Sequence, residues 1–202
     1  MKIFIAGTDT DIGKTLVSTW LCLHTGFDYF KPIQTGSRHG TDSQSVKEMT
    51  NSKVHKESYL YKEPLSPHLA AKLENSEIDL SAIKLPNTEK LIVEGAGGLL
   101  VPINKHSLMI DLIKQLAIPV ILVASSRLGT INHTLLSLEA MRSRGVKTLG
   151  VIVNGEKNQD NCDAIEFYGK VSVLAQLPFI SKISKQALQQ IPMSDNLKKV
   201  LV

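Results

Sequence analysis

The most constraining feature of this 202-residue chain lies at its start. The apolar run Lys2 to Ala6 meets Gly7-Thr8-Asp9-Thr10-Asp11-Ile12-Gly13-Lys14-Thr15, and helical periodicity then carries on to about His24. A strand that passes through a glycine loop into a helix turns successive backbone N–H groups and a helix N-terminus toward one anion. In that setting Gly13 permits close backbone approach, Lys14 suits β and γ phosphates, and the Thr15 hydroxyl suits Mg²⁺. The usual spacing is G-x-x-x-x-G-K-[ST]; here Thr8 holds the first-glycine position and Gly7 comes one residue early. The plainer alternative is a chance Gly-Lys-Thr at a helix start, and the flanking strand and helix weigh against it. No GxGxxG follows the strand, so a dinucleotide-binding fold loses its main support.

Short apolar runs alternate with helix-like segments along the rest of the chain. Strands are expected at Tyr29-Phe30-Lys31 (stopped by Pro32), Leu91 to Val93, Val120 to Val123, Thr148 to Val153, and near Val171 to Ala175. Helices are expected from Asp42 through Met49, over His68 to Leu73, near Leu108 to Leu116, and from about Ile131 to Arg142. Strands without polar alternation are buried on both faces, as in a parallel sheet covered by helices. The pattern predicts a doubly wound α/β fold of the P-loop NTPase kind: a mostly parallel sheet with helices on both faces. One domain is expected over 1–202, with no repeat, low-complexity tract or linker. Ligands of such sheets gather beyond the carboxyl ends of the strands, where Lys31, Glu94 and Asn154 fall.

Composition narrows the partners. The formal charge is +4, but only Arg38, Arg127, Arg142 and Arg144 are arginine, the lysines are scattered, and aromatics are 5%. A nucleic-acid reader concentrates its cations and adds stacking rings, so no nucleic-acid partner is expected. Apolar stretches such as Pro119 to Ala124 fall far short of the roughly 20 residues of a spanning helix, and the N-terminus turns polar too early for a signal peptide. Two distant cysteines form neither a disulfide framework nor a CxxC site. The expectation is a cytoplasmic protein with no membrane partner.

Two carboxylates stand near the loop's chemistry. Glu94 ends the strand Leu91 to Val93, where other phosphate-loop proteins put a metal-linked acid; a strand-end acid facing water is the alternative. Asp42 serves equally well as a helix cap or a metal ligand. The loop itself says nucleotide without naming a reaction. An acid-activating ligase, a small-molecule kinase and a partitioning-type switch all use such loops. Few arginines count against a kinase lid, and Asp9 stands where a switch carries a second lysine.

Six stretches in order match one family: Gly7 to Thr15, Lys31-Pro-Ile-Gln-Thr-Gly36, Ser66-Pro-His68, Val93-Glu-Gly-Ala-Gly-Gly98, Pro119 to Val123, and Gly129-Thr-Ile-Asn-His133. Across nearly its full length the chain resembles the dethiobiotin synthetases. The resemblance implies a ligase of biotin synthesis with ATP as co-substrate and Mg²⁺ as cofactor. Its other substrates would be 7,8-diaminononanoate and CO₂ or bicarbonate, and the assembly a homodimer. It implies Lys31 and Lys14 as catalytic residues, and Thr15, Asp42 and Glu94 around the metal. Asp11, Ile12, Gly13, Lys14, Thr15, Leu16, Asp42, Glu94, Gly95, Ala96 and Gly97 would bind the nucleotide, with Asn154, Gly155, Pro178 and Phe179 toward its base. Thr35, Lys31, Gly97, Gly129, Thr130, Ile131 and Asn132 would bind the substrate, the last four through a helix N-terminus supplied across the dimer. The chain departs from the family at Gly155, where an Asp often follows the Asn, and in having less sequence beyond Leu177-Pro178-Phe179; weaker base discrimination is the expectation.

Overall fold

The computed structural model describes residues 1–201. Its elements in chain order are β1 (Lys2–Gly7), α1 (Lys14–Thr25), β2 (Asp28–Phe30), β3 (Ile33–Gln34), α2 (Asp42–Met49), β4 (Val54–His55), β5 (Tyr59–Leu60) and α3 (Pro67–Leu73). A 3-10 turn (Leu80–Ala82) precedes β6 (Leu91–Glu94), α4 (Met109–Leu116), β7 (Val120–Ser125), α5 (Thr130–Ser143), β8 (Thr148–Asn154), α6 (Gln159–Gly169), β9 (Val173–Leu177), α7 (Lys185–Gln189) and α8 (Asp195–Val200). Seven strands form one sheet in the order β4-β2-β6-β1-β7-β8-β9, and every pairing in it is parallel.

Parity along the strands builds the two faces. Successive side chains point to opposite sides of a sheet. In β1, Ile3 and Ile5 join a core with Val17, Trp20 and Leu21 of α1, while Phe4 and Ala6 join the core holding Ile110 and Ile113 of α4 and Leu138 of α5. In β7, Ile121 and Val123 take the first side and Val120, Leu122 and Ala124 the second. Apolar residues at every position are therefore what this sheet requires.

The structure departs from the sequence expectation in particular places. Lys31 follows β2 rather than ending it, and the last strand of the sheet lies two residues later than expected. α6, α7, α8, β4 and the short parallel ladder of β3 with β5 were not anticipated. α7 lies against α1 and α8 against β9, and the Trp20 indole N–H donates to the Ile191 carbonyl at 2.9 Å. Asp42 is not the cap of α2. Thr41 is: its hydroxyl accepts from Gln44 N–H, and the Gln44 side chain accepts from Thr41 N–H in a reciprocal capping box. Asp42 becomes the first helical residue, and its side chain is free for other work.

β1 is central, with β6 on one side and β7 on the other. The carboxyl ends of β1, β2 and β6 thus bring the glycine loop, Lys31 and Glu94 to one crevice, as doubly wound sheets do where the strand order reverses. Among the described residues no helix is long and apolar enough to cross a membrane.

Candidate active site

A cleft of about 650 Å³ opens at that edge, lined among others by Asp11, Gly13, Lys14, Thr15, Lys31, Thr35, Asp42, Glu94, Ala96 and Gly97. Its floor is Glu94, wholly buried. Three donors hold that carboxylate: Thr15 Oγ1 donates to Oε1 at 2.8 Å, Lys31 Nζ to Oε1 at 2.9 Å, and Tyr29 OH to Oε2 at 2.9 Å. Lys31 also pairs with Asp42 Oδ2, and Asp42 N–H donates to Gln34 Oε1 at 3.0 Å. Glu94 is therefore not a strand-end acid facing water and Asp42 is not a helix cap; both face one ammonium.

The two lysines are buried to a similar degree but in different company. At Lys31 burial works against the charge, yet Glu94 and Asp42 outweigh it and hold the pKa above its ordinary value. The same ion pair overcomes the desolvation of Asp42 and keeps its carboxyl below its usual range. Lys14 has no such partner. Its Nζ donates to the Asp9 carbonyl at 2.7 Å, and burial lowers its pKa to about 8, Glu94 opposing and Lys31 reinforcing the shift. A desolvated ammonium with only a carbonyl for company, at the start of a helix, is a site for an anion.

The loop's glycines serve that approach. A Cβ on Gly7 would lie 2.8 Å from Lys14 Nζ, so the early glycine is what lets the lysine stem fold over the loop. Gly13 has φ 95°, and a Cβ there would sit 2.1 Å from Asn154 Nδ2; that amide donates to the Ile12 carbonyl at 3.0 Å. Thr15, Asp42 and Glu94 are the residues to test as holders of Mg²⁺. They offer two carboxylates that already converge on a cation, the Lys31 ammonium, and a hydroxyl bonded to one of them. Mg²⁺ prefers oxygen donors and takes one or two carboxylates beside water and phosphate, so the donor set fits.

Not every expected residue lines this cleft. Ile12 is buried beneath the loop, Leu16 packs toward the α1 core, and Gly95 lies against Phe4. Asn154 backs Gly13, Gly155 N–H donates to the Leu177 carbonyl at 2.9 Å, and Phe179 is exposed. Gly129, Thr130 and Ile131 line a separate recess of about 240 Å³ with Asn158 and Asn161, and Asn132 is exposed on α5. One chain therefore does not bring the Gly129–Asn132 group to the phosphate loop. Sequence reasoning missed Tyr29 and Gln34. Tyr29 carries no sequence signal, since an aromatic in an apolar strand reads as core.

A family model described as an AAA domain matches residues 1–187. The ATP-dependent dethiobiotin synthetase of Lawsonia intracellularis (strain PHE/MN1-00) is 62% identical over 202 residues, covering both chains fully. That of Paramagnetospirillum magneticum (strain ATCC 700264 / AMB-1) is 49% identical over 192 residues, 94% of each chain. Among solved structures, the MinC:MinD cell division protein complex of Aquifex aeolicus superposes with a TM-score of 0.58 at 14% identity, covering 99% of this chain and 95% of that one. A ParA family ATPase from Chlorobium tepidum TLS gives 0.54 at 11% identity, covering 99% and 95%. At such identities these two likenesses speak for the fold.

Proposed function

This chain belongs to the ATP-dependent dethiobiotin synthetase family, and from that premise and the cleft we infer an ATP-dependent ligase of biotin synthesis. It closes the ureido ring of dethiobiotin from 7,8-diaminononanoate and CO₂ (or bicarbonate as its source). One amine adds to CO₂ and loses a proton, giving a carbamate. A carbamate oxygen attacks the γ phosphorus and ADP leaves, forming a carbamic-phosphoric anhydride. The second amine attacks the carbamoyl carbon, the C–O bond to phosphate breaks, and the cyclic urea closes with loss of a proton.

The residues fit these demands. An alkyl amine of pKa near 10.4 must give up its proton before it can attack, at a cost of about 4.6 kcal/mol at pH 7. A fixed cation at Lys31 disfavours the substrate's ammonium form and favours the anionic carbamate. Lys14 takes the β and γ phosphates, and with Lys31 it can follow the charge on the migrating phosphoryl group. Thr15, Asp42 and Glu94 would hold Mg²⁺, which when bound neutralises charge on the phosphates. The reading rests above all on one observation: Lys31 and the unpaired Lys14 line the same cleft beside two carboxylates and a threonine hydroxyl.

Thr35 and Gly97 are assigned to the diamine because they line the cleft beside Lys31. A homodimer, in which Gly129, Thr130, Ile131 and Asn132 of one chain receive the substrate carboxylate of the other's cleft, would join groups that one chain keeps apart. In its support, the Thr130 hydroxyl is buried without a partner, and Leu100, Leu128 and Leu136 are exposed. Asn154, Gly155, Pro178 and Phe179 are assigned to the base, with weakened discrimination because Gly155 lacks a side chain. Competition among ATP, GTP and CTP tests that point, and a several-hundredfold preference for ATP would refute it. ATP as co-substrate favours the cytoplasm, which cell fractionation checks.

Incubation with the diamine, labelled bicarbonate and MgATP tests the central reading. Labelled dethiobiotin is expected; a stable phosphorylated diamine, or hydrolysis indifferent to the diamine, would overturn it.

A further inference from the structure

Tyr29 lies outside every role assigned above, yet its hydroxyl reaches the floor of the cleft. The ring is wholly buried in the core that also holds Val17, Trp20, Leu21, Val46 and Ile92, and its strand partners are Val54 and Ile92. Phenylalanine would fill that apolar site as well and would bring no hydroxyl to satisfy. The hydroxyl donates to Glu94 Oε2 at 2.9 Å. The two oxygens of Glu94 thus have separate clients: Oε2 is held from within the core, while Oε1 receives Thr15 and Lys31, both of which line the cleft.

We propose that Tyr29 is a positioning residue for Glu94, fixing the plane of the carboxylate so that Oε1 is the oxygen offered to the cleft. A buried carboxylate held at one oxygen only could turn about its terminal bond, and a metal ligand that turns binds less tightly. Partners that orient a metal-binding side chain typically contribute 10–100-fold in metal affinity or activity. The proposal rests on the reading of Glu94 as a magnesium-binding residue.

The test is Tyr29→Phe, which keeps the ring and its packing and removes only the donor. Mn²⁺ binding, titrated by electron paramagnetic resonance with a non-hydrolysable ATP analogue, should weaken about tenfold. Half-saturating Mg²⁺ in turnover should rise in step, with KM for the diamine unchanged and kcat recovered at saturating Mg²⁺. Glu94→Gln and the double variant complete the set. If Tyr29 acts through Glu94, the double variant binds Mn²⁺ no more weakly than Glu94→Gln alone. Unchanged Mn²⁺ affinity in Tyr29→Phe, with Glu94→Gln weakened, overturns the proposal and leaves the metal reading standing. Losses that multiply in the double variant also overturn it, since they would mean a packing role independent of Glu94. Unchanged affinity in Glu94→Gln sinks the metal reading itself.

Discussion

Lys14 and Lys31 are both nearly removed from solvent, and the cleft depends on treating them oppositely. Lys31 is held charged by its ion pairs with Glu94 and Asp42, whereas Lys14 has no carboxylate partner and is left for an incoming anion. Lys31→Met should therefore cost more than chemistry. Losing a preorganised charge at the reacting phosphoryl group lowers turnover by about 10²–10³-fold, measured as dethiobiotin formed per enzyme. Breaking a buried ion pair costs about 3–5 kcal/mol. The expected loss of stability is smaller, because the Asp42 side chain stays 31% exposed, and a melt should show a lowered Tm. Gly13→Ala is expected to weaken ATP-analogue binding at least tenfold by calorimetry, since a left-handed non-glycine residue costs about 1–3 kcal/mol. Its Cβ would also displace Asn154 from the Ile12 carbonyl. At this scale the lysines, Thr15 and Glu94 were legible because motif spacing and strand ends mark them. Tyr29 was not, because a tyrosine in a strand reads as core until its hydroxyl partner is known.

The helix α2 shows how an element delivers a residue. Thr41 and Gln44 close its N-terminus on each other, and Gln34 takes the Asp42 N–H, so the Asp42 carboxylate is left for Lys31. Thr41→Ala should cost about 1 kcal/mol and lower Tm by about 2–4 °C. It should also raise the Mg²⁺ needed for half-maximal turnover, by loosening the first turn that carries Asp42. An unchanged metal requirement beside a lowered Tm would confine the cap to stability. Reading Asp42 as the cap came from its preference for that position; Thr41 is a capping type too, and only the reciprocal bond with Gln44 decides between neighbours. The long central strands were legible by their apolar runs. β3, β4 and β5 were not, since two-residue pairings in a polar stretch leave no periodicity to read.

Across the whole molecule, the alternation of each central strand between two cores sets the architecture, and that was legible in β1, β6 and β7. What lay beyond β8 was harder, because α6, α7 and α8 are short or mostly exposed and owe their helicity to packing and to caps at Asn158, Ser184 and Ser194. Both cysteines are buried, one in each core. Burial pushes the Cys22 thiol up to about 12 and also raises that of Cys162. At pH 8 an ordinary thiol of pKa near 8.5 is partly ionised, but these stay protonated and shielded. Disulfide-exchange reagents should react slowly with the native protein at pH 8 and release two equivalents only on unfolding. Rapid reaction of one equivalent would show that a core opens locally.

Trp20, the single tryptophan of the chain, is sealed in the core between the sheet and α1 with its indole tied to Ile191. Because α1 begins at the phosphate loop, this fluorophore joins the grip on nucleotide to the docking of the final helices. Detachment of those helices would hydrate the ring and move its emission to the red, giving the protein an unlabelled optical readout of whether they are docked.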